Sequence, residues 1–101
     1  MARLLRHTLI VGLNDKDSKK QVIKLQQAKR IIMNVCGDCT MSDALGHYTH
    51  EDGSAVKEKS IKVELLFKAD NEVISYARQL KKELNQESIA LVKDYVESTL
   101  I

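Results

Sequence analysis

Three features of the sequence predict an α+β fold with a four-stranded antiparallel sheet and two helices on one face. Residues 39–67 read as one long β-hairpin folded about Glu51-Asp52-Gly53-Ser54. A segment with helical periodicity precedes that hairpin, and another follows it. Short apolar runs near the two ends, HTLIVGL at 7–13 and SIALV at 88–92, read as strands. The order strand, helix, strand, strand, helix, strand is then the split βαβ arrangement known as the ferredoxin-like plait.

Taken in order, Met1 to Arg6 reads as a loosely paired leader, and the first strand spans His7 to Leu13 before Asn14-Asp15 cuts it. Asn14 to Lys20 (NDKDSKK) is a polar loop. The first helix ends near Cys36 and starts between Lys19 and Leu25. Leu25, Ala28, Ile32 and Val35 fall on one stripe, widened by Ile31 and Cys36. Ser18 and Gln21 have the spacing of a capping box, whereas the β-branched pair Val22-Ile23 favours an extended lead-in and a later start. Gly37 stands where a left-handed residue would end the helix.

The second arm of the hairpin carries the clearest strand pattern. Ile61, Val63, Leu65 and Phe67 alternate with Lys62, Glu64, Leu66 and Lys68, so one face is buried. Asp52-Gly53 supplies the positive φ of a tight turn. A two-residue loop sets His47 opposite Glu58 and Tyr48 opposite Lys57; a three-residue loop shifts every partner by one, and both registers stay open. Gly46 marks a bulge or a close backbone approach. Asp70 or Asn71 caps a second helix whose stripe is Val73, Ala77, Leu80 and Leu84, and Asn85 ends it. Asp94 to Ile101 either extends the last strand or forms an edge strand. Leu66, Leu45, Met41 or Val56 would leave apolar side chains on the open sheet face, which predicts a homo-oligomer, dimer or trimer.

Bulk properties fit one small domain over residues 1–101, with 44% hydrophobic and 30% charged residues and no proline. No apolar stretch is long enough to span a bilayer, and no secretory signal is visible, so the expected location is the cytoplasm with no membrane partner. Two cysteines there are expected to be reduced thiols. The net charge of +2 is unevenly spread. Residues 1–30 hold eight Lys or Arg against Asp15 and Asp17, a net of +6, and the remainder is −4.

At the hairpin, Ala44-Leu45-Gly46-His47-Tyr48, then Glu51-Asp52-Gly53, then Glu58 and Ser60, resembles small uncharacterised bacterial and phage proteins with this plait. The resemblance covers about 20 residues and implies the fold; it carries no chemistry and no cofactor.

Four constellations could carry chemistry. Cys36, Cys39, His47 and His50 form a C-x-x-C followed by H-x-x-H, soft ligands suited to tetrahedral zinc. Against it, a regular strand sends His47 and His50 to opposite faces. As a redox pair the same cysteines sit at a helix end, where the dipole raises a thiol pKa. Lys16, Lys19, Lys20, Lys24, Lys29 and Arg30 form a basic segment for nucleic acid or another anionic ligand, without the stacking aromatics of RNA-binding plaits. An acid/base site would rest on His47, Tyr48, Glu58 and His7, with His47 and Glu58 as a cross-strand pair. The four glycines are too dispersed for a phosphate loop. Too few elements of an active site are visible, so the expectation is a non-enzymatic, oligomeric binding, regulatory or accessory module acting on a protein partner or small ligand. The alternatives are an anion or nucleic-acid binder and a zinc-stabilised domain.

Overall fold

A computed structural model describes residues 2–49 and 52–101, the side chains of residues 2 and 3 excepted. Its elements are β1 (Ala2–Gly12), α1 (Leu25–Cys36), β2 (Thr40–Thr49), β3 (Ala55–Leu66), α2 (Asp70–Glu83) and β4 (Ala90–Ser98). The strands form one antiparallel sheet in the order β2-β3-β1-β4. Both helices lie against the same face of it, which is the ferredoxin-like plait.

Strand alternation divides the residues of the sheet between two environments. Leu9 and Val11 of β1 and Ile61, Val63 and Leu65 of β3 face the helices and are fully buried. Ala28, Ile32 and Cys36 of α1 and Val73 and Leu80 of α2 meet them from above. Each fully buried Leu, Ile or Val contributes roughly 1.5–3 kcal/mol. The expected stripes of both helices are thus the ones that pack.

β1 is longer than the sequence suggests. The presumed leader is strand: Ala2 to Arg6 pair with Ser98 back to Asp94 of β4. The two weakly patterned ends supply each other's backbone hydrogen bonds, and Arg6 donates to the two Asp94 carboxylate oxygens from Nε and Nη2, at 3.2 and 2.7 Å. No helix covers this end of the ribbon, so alternation there is faint in the sequence.

Helix boundaries follow backbone chemistry more than side-chain caps. α1 begins after Lys24, whose N–H is taken by the Gln27 side chain at 3.3 Å. Val22-Ile23 remain an extended lead-in; Gln21 instead makes a bridge to Asn14, and its amide donates to the Ile23 carbonyl. Gly37 ends α1 with φ 68°, as expected. α2 is capped one residue earlier than expected, at Ala69, because Glu72 reaches back to the Ala69 N–H. Asn85 ends it with φ 47°.

The hairpin adopts the shifted register. Gly46 pairs with Glu58, His47 with Lys57 and Tyr48 with Val56, and the ladder runs through Gly46 without a bulge. Directly opposed residues share a face, so Met41, paired with buried Val63, lies on the helix side and packs against the core. Leu45 follows it there, beyond the reach of the helices. Of the four candidates for the open face, Leu66 and Val56 lie on it and Met41 and Leu45 do not.

Candidate active site

The open face of the sheet becomes concave at one end, where β1 stops and the β2–β3 hairpin runs on past it. A depression of about 340 Å³ lies there, at the lower end of the range for small-molecule sites. Its floor is made by Gly12, Gly46, Ser60 and Glu58, and its walls by Tyr48, by residues 14–16 with Lys19, and by residues 86–88.

Glu58 is the fixed point of this depression. It opposes Gly46, so its side chain crosses β3 toward the neighbouring strand end. There its carboxylate lies against the Cα of Gly12, in the space a Cβ at that position would fill. One oxygen, Oε2, accepts the Asn14 backbone N–H at 2.8 Å. The other, Oε1, accepts the Tyr48 hydroxyl at 3.1 Å. Tyr48 belongs to the same face, two residues beyond Gly46 on β2. Burial, and then the negative charges of Glu58 and Glu87, raise the Tyr48 pKa, so it stays a protonated donor at neutral pH. The carboxylate is oriented through both oxygens, while the concavity in front of it stays open.

The loop after β1 is equally well held. Asp15 accepts the backbone N–H groups of Asp17 and Ser18, each at 3.0 Å, and the side-chain amide of Asn85 at 2.6 Å. The Asn85 bond is the first cause of a lowered Asp15 pKa. Gln86 donates to the Asn14 carbonyl at 2.8 Å. The end of α2 thereby anchors the loop that carries Lys16 and Lys19 to the rim of the depression.

Among the expected site residues, the structure brings Tyr48, Glu58, Lys16 and Lys19 to one depression and separates the rest. The His47–Glu58 pair does not form: a one-residue shift in register turns His47 to the helix side, opposite Lys57, and puts Tyr48 on the face of Glu58. His7 lies on the covered face, fully buried, with Nε2 2.6 Å from Asp70 and no contact with the depression. Lys93 completes that cluster at 3.2 Å from the second Asp70 oxygen. These two partners, His7 first, hold the Asp70 carboxyl below its usual range.

The cysteine and basic constellations are dispersed. Cys36 is the last residue of α1 and buried, Cys39 precedes β2, and His47 stands near the hairpin end of the β2–β3 ladder. His50 lies outside the described residues. Among the described residues no three His, Cys, Asp or Glu side chains converge into a metal-binding group. Burial pushes the Cys36 thiol up to about 11 and raises Cys39 as well, so neither is a thiolate at neutral pH. Of the basic segment, Lys16 and Lys19 reach the depression, whereas Lys29 is paired with Asp43 at 2.9 Å and Arg30 lines a separate groove between the helices. Lys20 and Lys24 are exposed. The six cations therefore do not make one surface.

The missing signals were Gly12 and Asn14. Gly12 reads as a strand terminator, and only the tertiary structure shows which side chain needs its missing Cβ.

No protein-family model matches the chain, and no curated protein matches it. Solved structures do. A phage SAM lyase in complex with S-methyl-5'-thioadenosine matches with a TM-score of 0.70 and 18% identity, over 89% of this chain and 79% of that one. A phage SAM lyase in the apo state matches with a TM-score of 0.70 and 16% identity, over 90% and 79%. At such identity the likeness shows a shared fold. It also corrects the expectation of a non-enzymatic module, because these solved examples of the fold are of an enzyme. Among the described residues no helix is long and apolar enough to cross a membrane.

Proposed function

We propose that this chain is an enzyme that cleaves S-adenosylmethionine, with Glu58 and Tyr48 at its site. One observation carries the reading. A carboxylate is clamped through both oxygens over Gly12, at the floor of a depression of nucleoside size, on the fold of the SAM lyases. The substrate is a sulfonium cation. A fixed carboxylate in a partly desolvated concavity attracts such a charge more strongly than water would. Tyr48 and the Asn14 N–H hold the carboxylate in place before the substrate arrives, so little reorganisation is needed.

Cleavage between the sulfur and the γ carbon of the aminobutyryl chain leaves the bonding pair on sulfur. The sulfonium becomes the neutral thioether of S-methyl-5'-thioadenosine. A lyase adds no water, so the substrate's own α-carboxylate oxygen forms a bond to the γ carbon as the carbon–sulfur bond breaks, closing a five-membered lactone. Once the positive charge is gone, the attraction of Glu58 for the nucleoside falls, which favours release of the product.

Incubating the purified protein with S-adenosylmethionine and following methylthioadenosine by chromatography tests this. The expected result is product formation well above spontaneous decay, and a loss of roughly 100-fold or more in Glu58→Gln with an unchanged melting temperature. Product no faster than in buffer alone would sink the reading. The homo-oligomer, dimer or trimer, belongs to the same proposal: Ile10 and Val92 are diagonal neighbours on β1 and β4 of the open face, 38% and 52% exposed. Molar mass in solution checks it.

A further inference from the structure

The depression is electrically two-sided. Its floor and one wall carry Glu58 and Glu87, and its rim carries Lys16 and Lys19. A site meant only for a cation, or only for a neutral nucleoside, has no use for that second charge. Nor are the two lysines engaged elsewhere: among the described residues neither forms an ion pair, while Lys29, Lys93 and Arg6 all do. The neighbouring acids are engaged as well: Asp15 accepts the Asp17 and Ser18 N–H groups and the Asn85 amide, and Asp17 accepts the Asn85 amide at 2.9 Å.

The loop that bears them is built for position. The Asp15 N–H donates to the Lys20 carbonyl and the Lys19 N–H to the Asp15 carbonyl, both at 2.8 Å. The Lys16 N–H donates to the Asn85 carbonyl at 3.0 Å, tying the loop to the end of α2. Lys19 has φ 62°, a left-handed conformation that a lysine adopts only under constraint. Glycine would be the relaxed choice there; lysine keeps a cation at the rim.

We infer that Lys16 and Lys19 recognise the α-carboxylate of the substrate's amino-acid end, and so select nucleosides that carry this end over those that lack it. This rests on the proposed reading of the site as one for S-adenosylmethionine. In that arrangement the sulfonium lies toward Glu58 and the α-carboxylate toward the lysines. Lys16 and Lys19 are positioning residues that decide specificity.

Two unreactive nucleosides separate the contributions. S-adenosylhomocysteine keeps the carboxylate and lacks the sulfonium charge; methylthioadenosine lacks the whole amino-acid end. Calorimetric titration of each would be done with the wild type, with Lys16→Met/Lys19→Met and with Lys16→Arg/Lys19→Arg. The double Met variant should lose roughly tenfold or more in affinity for S-adenosylhomocysteine, the scale of a lost charge-assisted hydrogen bond, and keep its affinity for methylthioadenosine. The double Arg variant should recover most of the loss. Equal losses for the two ligands, or no loss for either, would overturn the inference and leave the nucleoside site standing. If the wild type binds neither ligand, the nucleoside reading itself fails and takes this one with it. Because both side chains are exposed, an unchanged melting temperature is expected in every variant.

Discussion

The two faces of the sheet use the same strands for opposite purposes. On the covered face, His7, Leu9 and Val11 of β1 and Ile61, Val63 and Leu65 of β3 are all closed to water. On the open face the intervening residues are Thr8, Ile10 and Gly12 beside Ser60, Lys62 and Glu64. The covered face is filled by side chains from both helices, so its residues are chosen for volume and apolarity. The open face is free of that demand. Only there can a carboxylate be laid across a glycine, bonded at both oxygens and left accessible from the front. One face supplies stability and the other holds the candidate site, which is possible because strand alternation keeps the two sets of side chains apart.

If that division is right, trading an apolar residue for alanine should cost very different amounts on the two sides of one strand. Leu9→Ala should destabilise by about 2–5 kcal/mol in denaturant unfolding, and its neighbour Ile10→Ala by less than about 1 kcal/mol. A large Ile10 effect that is independent of protein concentration would break the comparison, whereas an added loss that grows as the protein is concentrated is what the proposed oligomer contact predicts. On the open side, Gly12→Ala puts a methyl group into the space of the Glu58 carboxylate. It should lower turnover by about tenfold or more while moving the melting temperature little, since a misplaced catalytic group costs more than the contact itself. Tyr48→Phe removes one of the two bonds to the carboxylate; a loss of several-fold in kcat, smaller than in Gly12→Ala, is expected from steady-state kinetics. The smallest effect concerns Asp70, which reaches the edge of the covered face. Its pKa is lowered in the folded protein, so it contributes stability above the ordinary carboxylate range, and that contribution is lost as pH falls through the lowered folded value. Asp70→Ala should therefore melt below the wild type at neutral pH, and the gap should close at strongly acid pH. A gap that is constant with pH would show that the carboxylate charge does not matter there.

Much of the architecture was legible because it depends on local periodicity. The alternation of Ile61, Val63 and Leu65, the helical stripe of Ala28, Ile32 and Cys36, and the breaks at Gly37 and Asn85 are each set by residues close by in the chain. The ends of β1 and β4 were not legible, since their only strong signal is each other: Ala2 to Arg6 find their partners about ninety residues away. The candidate site was half legible. Tyr48 and Glu58 could be named as polar residues of interest, but the register that joins them turns on one residue in the hairpin loop. The alternative register, in which His47 faces Glu58, fits the same sequence.

By itself, then, the sequence determined the fold class, the core stripes and the helix stops, because hydrophobic period and backbone preference act over short distances. The tertiary structure decided which face each hairpin residue occupies and which residues the end of β1 meets. Those choices depend on pairing between distant strands, where a shift of one position reverses every side chain. The site follows from them: Glu58 became its centre when β3 brought it across Gly12 to the Asn14 N–H, 44 residues away along the chain.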